Sequence, residues 1–167
     1  MTKVKNILKK YCKKKGFHLE QDKENSSIMH LTISATNFTY QGRAIFNEED
    51  SWFVFYSAIS LSFSKDKKEE LLELTNEVNW GVSIGNILLN VEEKFLVYCT
   101  SIPYQCISKD GEIFKTIIDG NVTAIDHFYP AYLSVSYGDK SAEEALNGLI
   151  ELYFEDEIEE SKKELPN

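Results

Sequence analysis

The sequence predicts a single α+β domain, an α/β sandwich in which a five-stranded, mostly antiparallel sheet carries its helices chiefly on one face. Three observations lead to this fold class. Apolar residues recur with helical spacing in some segments and with strand spacing in others. Short polar connections of hairpin length join neighbouring strand segments, and 167 residues suit one domain better than two. The predicted order is α-βββ-α-ββ-α-α, with the domain over residues 1–154 and a charged tail, expected to fray, over residues 155–167.

The first predicted helix covers residues 2–15 and ends at Gly16, a common residue just after a helix. Its apolar stripe consists of Val4, Ile7, Leu8, Tyr11 and Cys12, and lysines cover the rest of its surface. Such a helix can lie on a membrane surface. More often it docks on its own domain by the stripe and leaves its lysines in water, which is the arrangement we expect here.

Three strand segments follow a polar stretch, residues 20–27, that is predicted to be a loop. They read SIMHLTISAT, TNFTYQGRAIF and SWFVFYSAISLSF, and all are rich in β-forming residues. The connections at residues 35–37 and 47–50 have hairpin lengths and typical turn residues. We therefore predict an antiparallel meander.

The segment SKDKKEELLELTNEVNWG is the clearest helix, with Ser64 or Asp66 as its cap and Gly81 at its end. Two strands should follow, at about residues 82–90 and 94–104. Two asparagines, Asn76 and Asn79, lie in the last turn of the helix. We interpret them as structural residues that bind the last free carbonyl groups and aid the turn, rather than as a ligand site. Trp80 is expected to be a core or interface aromatic.

Helical spacing returns in EIFKTIIDGNVTAIDHFYP and continues, kinked at Pro130, to Gly138. A last helix should begin at a capping box formed by Ser141 and Glu144 and run to about residue 154. The helical faces that should be buried against the strands are Leu71, Leu74, Val78, Phe114, Ile117, Ile118 and Ile125.

Charge is distributed unevenly along the chain, whose net charge is −9. Residues 1–15 hold seven lysines and no acid, so the remaining 152 residues carry 11 basic and 27 acidic side chains, a net charge of −16. An acidic body repels phosphate backbones, which argues against a nucleic-acid partner. No apolar run approaches the ~20 residues of a membrane span, and the charged start lacks a signal-peptide pattern. We expect a cytoplasmic protein.

Motifs for catalysis or cofactor binding are missing from the sequence. The cysteines Cys12, Cys99 and Cys106 have no CxxC spacing, and the three histidines stand in separate elements. There is no glycine-rich phosphate loop. A nucleophile pair such as Cys99 with His127, or a pair of acids, is an alternative that no motif supports. We therefore expect no enzyme, no metal and no organic cofactor.

Two stretches carry a family resemblance. One is the helix ending in Asn-x-x-Asn (Asn76 and Asn79), followed by a glycine-containing strand and a second strand that closes at SIPY. The other is DHFYPAYLSVSYGDKSAEEAL. In these the chain resembles the YbjN family of bacterial proteins, described as sensory transduction regulators, over most of residues 1–150. The resemblance implies the fold of the type III secretion chaperones and frequent homodimers, and it implies no catalytic residue.

The function that we predict is noncatalytic binding of another polypeptide, chaperone-like or regulatory, by a protein that forms a homodimer. An acidic body suits a basic or partly unfolded partner. The candidate interface residues are Trp52, Phe53 and Tyr56 of the third strand, because alternate members of a strand cannot all face the core. The alternatives are a small-molecule sensor or small enzyme with a pocket between sheet and helices, and an immunity protein that neutralises a basic toxin.

Overall fold

The computed structural model describes residues 2–34 and 39–149. Its helices are α1 (Thr2–Lys15), α2 (Lys68–Gly81), α3 (Gly120–Tyr137) and α4 (residues 142–149). Its strands are β1 (His18–Gln21), β2 (Ile28–Ser34), β3 (Thr39–Asn47), β4 (Trp52–Ser60), β5 (Asn86–Asn90) and β6 (Phe95–Pro103). The turn predicted at residues 35–37, the end of the last predicted helix beyond residue 149 and the predicted tail at residues 155–167 lie outside the described residues.

The strands form one antiparallel sheet in the order β1-β2-β3-β4-β6-β5. It has six strands where the sequence predicts five, because β1 occupies the start of the predicted loop. This strand pairs with β2, with Leu19 opposite Leu31, and none of its side chains is fully buried. Backbone hydrogen bonds hold β1 at the edge of the sheet. Because its side chains are not buried in alternation, the sequence shows no strand pattern there.

Each described helix packs on the same face of the sheet. The apolar stripe of α1 is docked there as predicted, with Val4 half-buried and the other stripe residues buried. Its lysines are exposed with one exception: Lys5 is buried and donates a hydrogen bond to the carbonyl oxygen of Ser26. Burial lowers the pKa of Lys5, an effect that Glu48 opposes.

Two hydrophobic cores lie side by side between the helices and the sheet. One joins α2, α3 and α4 to β5 and β6, and the other joins α1 and residues 114–118 to β2, β3 and β4. The core positions predicted from the sequence are all buried: Leu71, Leu74, Val78, Phe114, Ile117, Ile118 and Ile125. The helical periodicity therefore identified the correct face of both helices.

A buried polar cluster lies at the start of α3, over the middle of the sheet. The Asn121 side chain donates to Thr100 Oγ1 at 2.7 Å and to the Ile117 carbonyl oxygen at 2.8 Å, and it accepts from Ser57 Oγ at 3.2 Å. Ser57 and Thr100 belong to β4 and β6. Since every one of these buried groups has a partner, the cluster fixes α3 over two particular strands.

Helix ends agree with the sequence in part. The capping box is confirmed: the Glu144 carboxylate accepts from Ser141 N–H at 2.9 Å, and Glu144 N–H donates to Ser141 Oγ at 3.2 Å. α3 passes through Pro130 and ends before Gly138, also as predicted. At α2 the predicted caps are wrong. A short 3₁₀ turn, Lys65–Lys67, precedes the helix, and no side chain caps it at its first residue.

Candidate protein-binding surface

The sheet face opposite the helices, here called the open face, is uncovered by the described residues. Strand alternation divides the side chains of β4. Its odd-numbered residues from Phe53 to Ile59 point towards the helices, and its even-numbered residues from Trp52 to Ser60 point to the open face. The register then assigns the open-face neighbours on β5 and β6. The side chains that these three strands place on the open face, here called the uncharged strip, are Trp52, Val54, Tyr56, Ala58, Ser60, Asn86, Leu88, Asn90, Phe95, Val97, Cys99, Ser101 and Pro103.

The structure places the three predicted interface residues on different sides of the sheet. Trp52 is 40% exposed and Tyr56 is half-buried, and both lie on the uncharged strip. Phe53 is fully buried. Its ring centroid is 5.4 Å from that of Phe46 and 5.1 Å from that of Phe114 in the core under α1. Phe53 therefore belongs to the core, and Trp52 and Tyr56 are the members of this set that reach the surface.

Further open-face residues come from β5 and β6, which the sequence did not single out. Leu88 is 45% exposed and Phe95 is 37% exposed. Val97 of β6 lies between Ala58, its partner in β4, and Leu88, its partner in β5. In β6 the residues of both faces are largely apolar, so their periodicity does not tell which face is covered. β4, β5 and β6 carry no charged residue on either face, so charge does not mark the open face in the sequence either.

Acidic turns lie at both ends of the uncharged strip. The turn between β3 and β4 contains Glu49 and Asp50 and borders Trp52, and both acids are exposed. The turn between β5 and β6 contains the exposed Glu92 and Glu93 and borders Phe95 at the opposite end. The surface therefore combines an apolar floor with negative charge at its two ends.

The two asparagines at the end of α2 differ in their roles. Asn76 is exposed. Asn79 is half-buried and exchanges two hydrogen bonds with the backbone of Ile87 in β5, at 2.8 and 2.9 Å. Its role is structural, as predicted, although its partner is the following strand and not the carbonyl groups of its own helix. Trp80 is 84% exposed and so lies outside the core.

The cysteine and histidine considered as a nucleophile pair lie on opposite sides of the sheet. Cys99 faces the open face, whereas His127 belongs to α3 on the other side of the sheet, so the sheet separates this pair. Burial raises the pKa of Cys99, and it raises that of Cys12 to about 12. Within residues 2–34 and 39–149, no group of three His, Cys, Asp or Glu side chains could hold a metal ion.

The remaining histidines form local pairs with acids. His30 Nε2 lies 2.8 Å from Asp22 Oδ2, and His18 Nε2 lies 2.8 Å from Glu20 Oε1. The hydrogen bond from His30, with those from two backbone N–H groups, lowers the pKa of Asp22 to about 2. The first contact joins β2 to the turn after β1 and the second lies within β1, so both are structural.

A cavity of about 370 Å³ has room for a small molecule. It lies between α1, the β3–β4 turn and the segment after β6, and Lys3, Glu48 and Tyr104 are among its lining residues. Burial, and secondly the charge of Glu48, raise the pKa of Tyr104 to about 12, so its hydroxyl is neutral at physiological pH. That hydroxyl is buried and has no hydrogen-bond partner among the residues that the structure describes.

Comparison with known proteins gives a family and a fold. Residues 6–133 match the model of the YbjN family, described as "Putative bacterial sensory transduction regulator". The crystal structure of YbjN from E. coli is similar with a TM-score of 0.51 at 13% identity, covering 72% of this chain and 84% of that one. A chain of the HopA1–SchA chaperone–effector complex is similar with a TM-score of 0.51 at 14% identity, covering 74% and 90%.

A third similar structure is the Yersinia pestis type III secretion chaperone SycH in complex with a fragment of YscM2, with a TM-score of 0.42 at 10% identity, covering 71% and 97%. No curated protein matches the chain. None of the described helices is both long enough and apolar enough to cross a bilayer. The fold expected from the sequence, with its helices on one face of an antiparallel sheet, is confirmed.

Proposed function

The chain belongs to the YbjN family, and on that premise we propose that it is a noncatalytic protein that binds another polypeptide on the open face of its sheet. One observation carries the proposal. Three neighbouring strands present the uncharged strip, with Trp52, Leu88 and Phe95 each more than a third exposed, and no described helix covers it. Contiguous exposed apolar surface of this kind is typical of interaction sites.

Chemistry supports binding over catalysis. A catalytic cysteine needs a depressed pKa and a base within reach. Here the pKa of Cys99 is raised, and the sheet separates Cys99 from His127. The fold offers weaker support: a chain of a chaperone–effector complex has it too, and that complex is an assembly of two polypeptides.

A matched pair of variants tests the proposal. Leu88→Asp places a charge on the uncharged strip, and Leu72→Asp places the same charge on α2, at a leucine that is 38% exposed. The tagged protein and both variants are used to recover partners from the native bacterium, and the recovered partner is then purified and titrated by calorimetry. We expect the wild type and Leu72→Asp to bind it stoichiometrically and Leu88→Asp to lose at least tenfold in affinity, roughly the effect of one buried unpaired charge.

Two results would contradict the proposal. One is a partner that binds Leu88→Asp as tightly as the wild type, since the open face would then not be the site. The other is turnover of a small substrate that depends on Tyr104 or Lys3, which would favour the cavity and the enzyme or sensor alternative. Circular dichroism of both variants checks that each is folded. A basic toxin as the partner would make the protein an immunity protein, which is binding of the same kind.

We also propose that the protein forms a homodimer through the corner between α2 and β5. Trp80 is 84% exposed and Ile84 is 51% exposed, and residues 79–85, which lead from α2 to β5, contain no charge. Copies with a net charge of −9 repel one another, so a contact between them needs an uncharged surface. Sedimentation should show a dimer for the wild type and for Tyr137→Asp, an exposed aromatic elsewhere, and a monomer for Trp80→Asp. A monomeric wild-type protein would contradict the proposed homodimer.

A further inference from the structure

We propose that the polypeptide segment bound on the uncharged strip is an amphipathic helix of about 18 residues with basic side chains at both ends. This inference rests on the proposed function and specifies its ligand. It is carried by the shape of the strip, by the hydrogen bonds that the strip cannot supply and by the two acidic turns at its ends.

The dimensions of the strip fit one helix. β4 runs from Trp52 to Ser60, which at about 3.3 Å per residue is roughly 27 Å. Where β5 lies beside Phe95–Cys99, three strands about 4.8 Å apart give a width of roughly 10 Å between the outer two, and β4 and β6 alone continue the strip to Trp52. A helix has a diameter of about 10–12 Å and a rise of 1.5 Å per residue, so about 18 residues cover the strip once.

The hydrogen-bonding needs of the ligand's backbone favour a helix over an extended chain. An extended segment laid on the strip would bury N–H and C=O groups that need partners, each costly if unpaired. The strip is mostly aliphatic and aromatic, and the Tyr56 hydroxyl already pairs with Cys99 across the strands. A helix satisfies its own backbone groups and can bury a purely apolar stripe.

Addition of the ligand as a further strand is disfavoured at the β5 edge. The outward N–H and C=O groups of Ile87 are both bonded to the side chain of Asn79. A strand added there would have to displace this side chain first. The sheet therefore receives its ligand on the open face and not at this edge.

The two acidic turns favour basic side chains at the ends of the bound helix. Glu49 and Asp50 border the Trp52 end of the strip, and Glu92 and Glu93 border the Phe95 end. Lys94, the basic residue of the second turn, donates to the Phe63 carbonyl oxygen at 2.9 Å. A helix as long as the strip brings its first and last turns close to these acids, so lysine or arginine at both ends complements the surface.

Synthetic peptides test the inference directly. The first is an 18-residue amphipathic helix with a leucine stripe and two lysines at each end. The second has glutamates in place of those four lysines, the third has the same composition in scrambled order, and the fourth has two central prolines. Fluorescence anisotropy with the full-length protein measures their affinities at low and high salt. We expect the first peptide to bind about tenfold or more tighter than the others, with a preference over the second that shrinks as salt screens exposed charges.

Charge reversal on the protein supplies the matched control. The double variant Glu49→Lys/Glu92→Lys should lose the preference for the lysine-ended peptide, because each end of the strip then carries a new positive charge. The double variant Glu73→Lys/Glu77→Lys makes the same change of net charge on exposed residues of α2, across the sheet, and should keep the preference. Leu88→Asp should lose all peptide binding.

Each failure has a distinct meaning. Equal binding of the proline-containing peptide would overturn the helical ligand, and equal binding of the glutamate-ended peptide would overturn the basic ends. In both cases a native partner that still depends on Leu88 leaves the proposed function standing. A change from dimer to monomer in Leu88→Asp would make a second copy of the chain the occupant and overturn the inference. If the native partner binds Leu88→Asp as tightly as the wild type, the proposed function itself is wrong.

Discussion

The carboxamide of Asn79 pairs with both backbone groups of Ile87, as a neighbouring strand would. Its Oδ1 accepts from Ile87 N–H at 2.8 Å, and its Nδ2 donates to the Ile87 carbonyl oxygen at 2.9 Å. Alternate residues of a strand direct their backbone groups to opposite sides, so the groups bonded to Asn79 face away from β6. One side chain thus joins the end of α2 to β5 and blunts an edge of the sheet.

Removing this pairing should destabilise the corner that it holds. For Asn79→Ala we expect a loss of about 1–3 kcal/mol in the free energy of unfolding, since two half-buried backbone groups lose their partner. Hydrogen exchange at the Ile87 amide should accelerate. Urea denaturation and exchange measured by NMR provide the two readouts. Asn76→Ala is the control: its side chain is exposed, and its effect should stay within about 0.5 kcal/mol.

Leu74 tests the assignment of the core. It is fully buried on α2 between the sheet and α3. Leu74→Ala should lower the free energy of unfolding by about 2–5 kcal/mol, through lost burial and the cavity left behind. Leu72, two residues earlier and 38% exposed, should tolerate the same change at a cost well below this. A loss under ~0.5 kcal/mol for Leu74→Ala would show that α2 presents another face to the sheet.

Two glycines should respond to alanine in opposite directions. Gly120 has helical angles (φ −61°, ψ −41°) and open space where a Cβ would lie, so Gly120→Ala should stabilise the protein by about 0.5–1 kcal/mol. Gly85 has φ +80°, and a Cβ there would lie 2.5 Å from the Cys99 carbonyl oxygen. Gly85→Ala should cost more than about 1 kcal/mol. Thermal denaturation of both variants checks the signs, and a stable Gly85→Ala would contradict the geometry.

The three thiols should differ in reactivity. Cys106 is exposed, Cys99 is half-buried on the open face, and Cys12 is buried on the sheet-facing side of α1 with its pKa raised to about 12. With a thiol reagent at pH 8 we expect Cys106 to react first, Cys99 slowly and Cys12 only on unfolding. Because Cys99 belongs to the uncharged strip, a ligand bound there should protect it and leave the rate at Cys106 unchanged. Mass spectrometry of modified peptides separates the three rates.

The sequence by itself determined the local features and the helices that have one buried face. The periodicity of α2 and α3 identified buried residues such as Leu74 and Ile125, because a helix with one covered face must repeat its apolar residues at that spacing. The capping box at Ser141 was equally readable, since both of its hydrogen bonds lie within four residues. The uneven charge, which suits a polypeptide partner, needs no structure at all.

Only the tertiary structure decided which face of the sheet is open. Trp52, Phe53 and Tyr56 are equally apolar in sequence, and β6 is apolar on both faces, so neither strand indicates where the helices pack. That choice separates Phe53, in the core, from Trp52 and Tyr56, on the surface. β1 and the bond partner of Asn79 escaped prediction for a related reason. Both depend on hydrogen bonds to backbone groups, those between β1 and the next strand and those between Asn79 and Ile87, and backbone groups leave no pattern in the side-chain sequence.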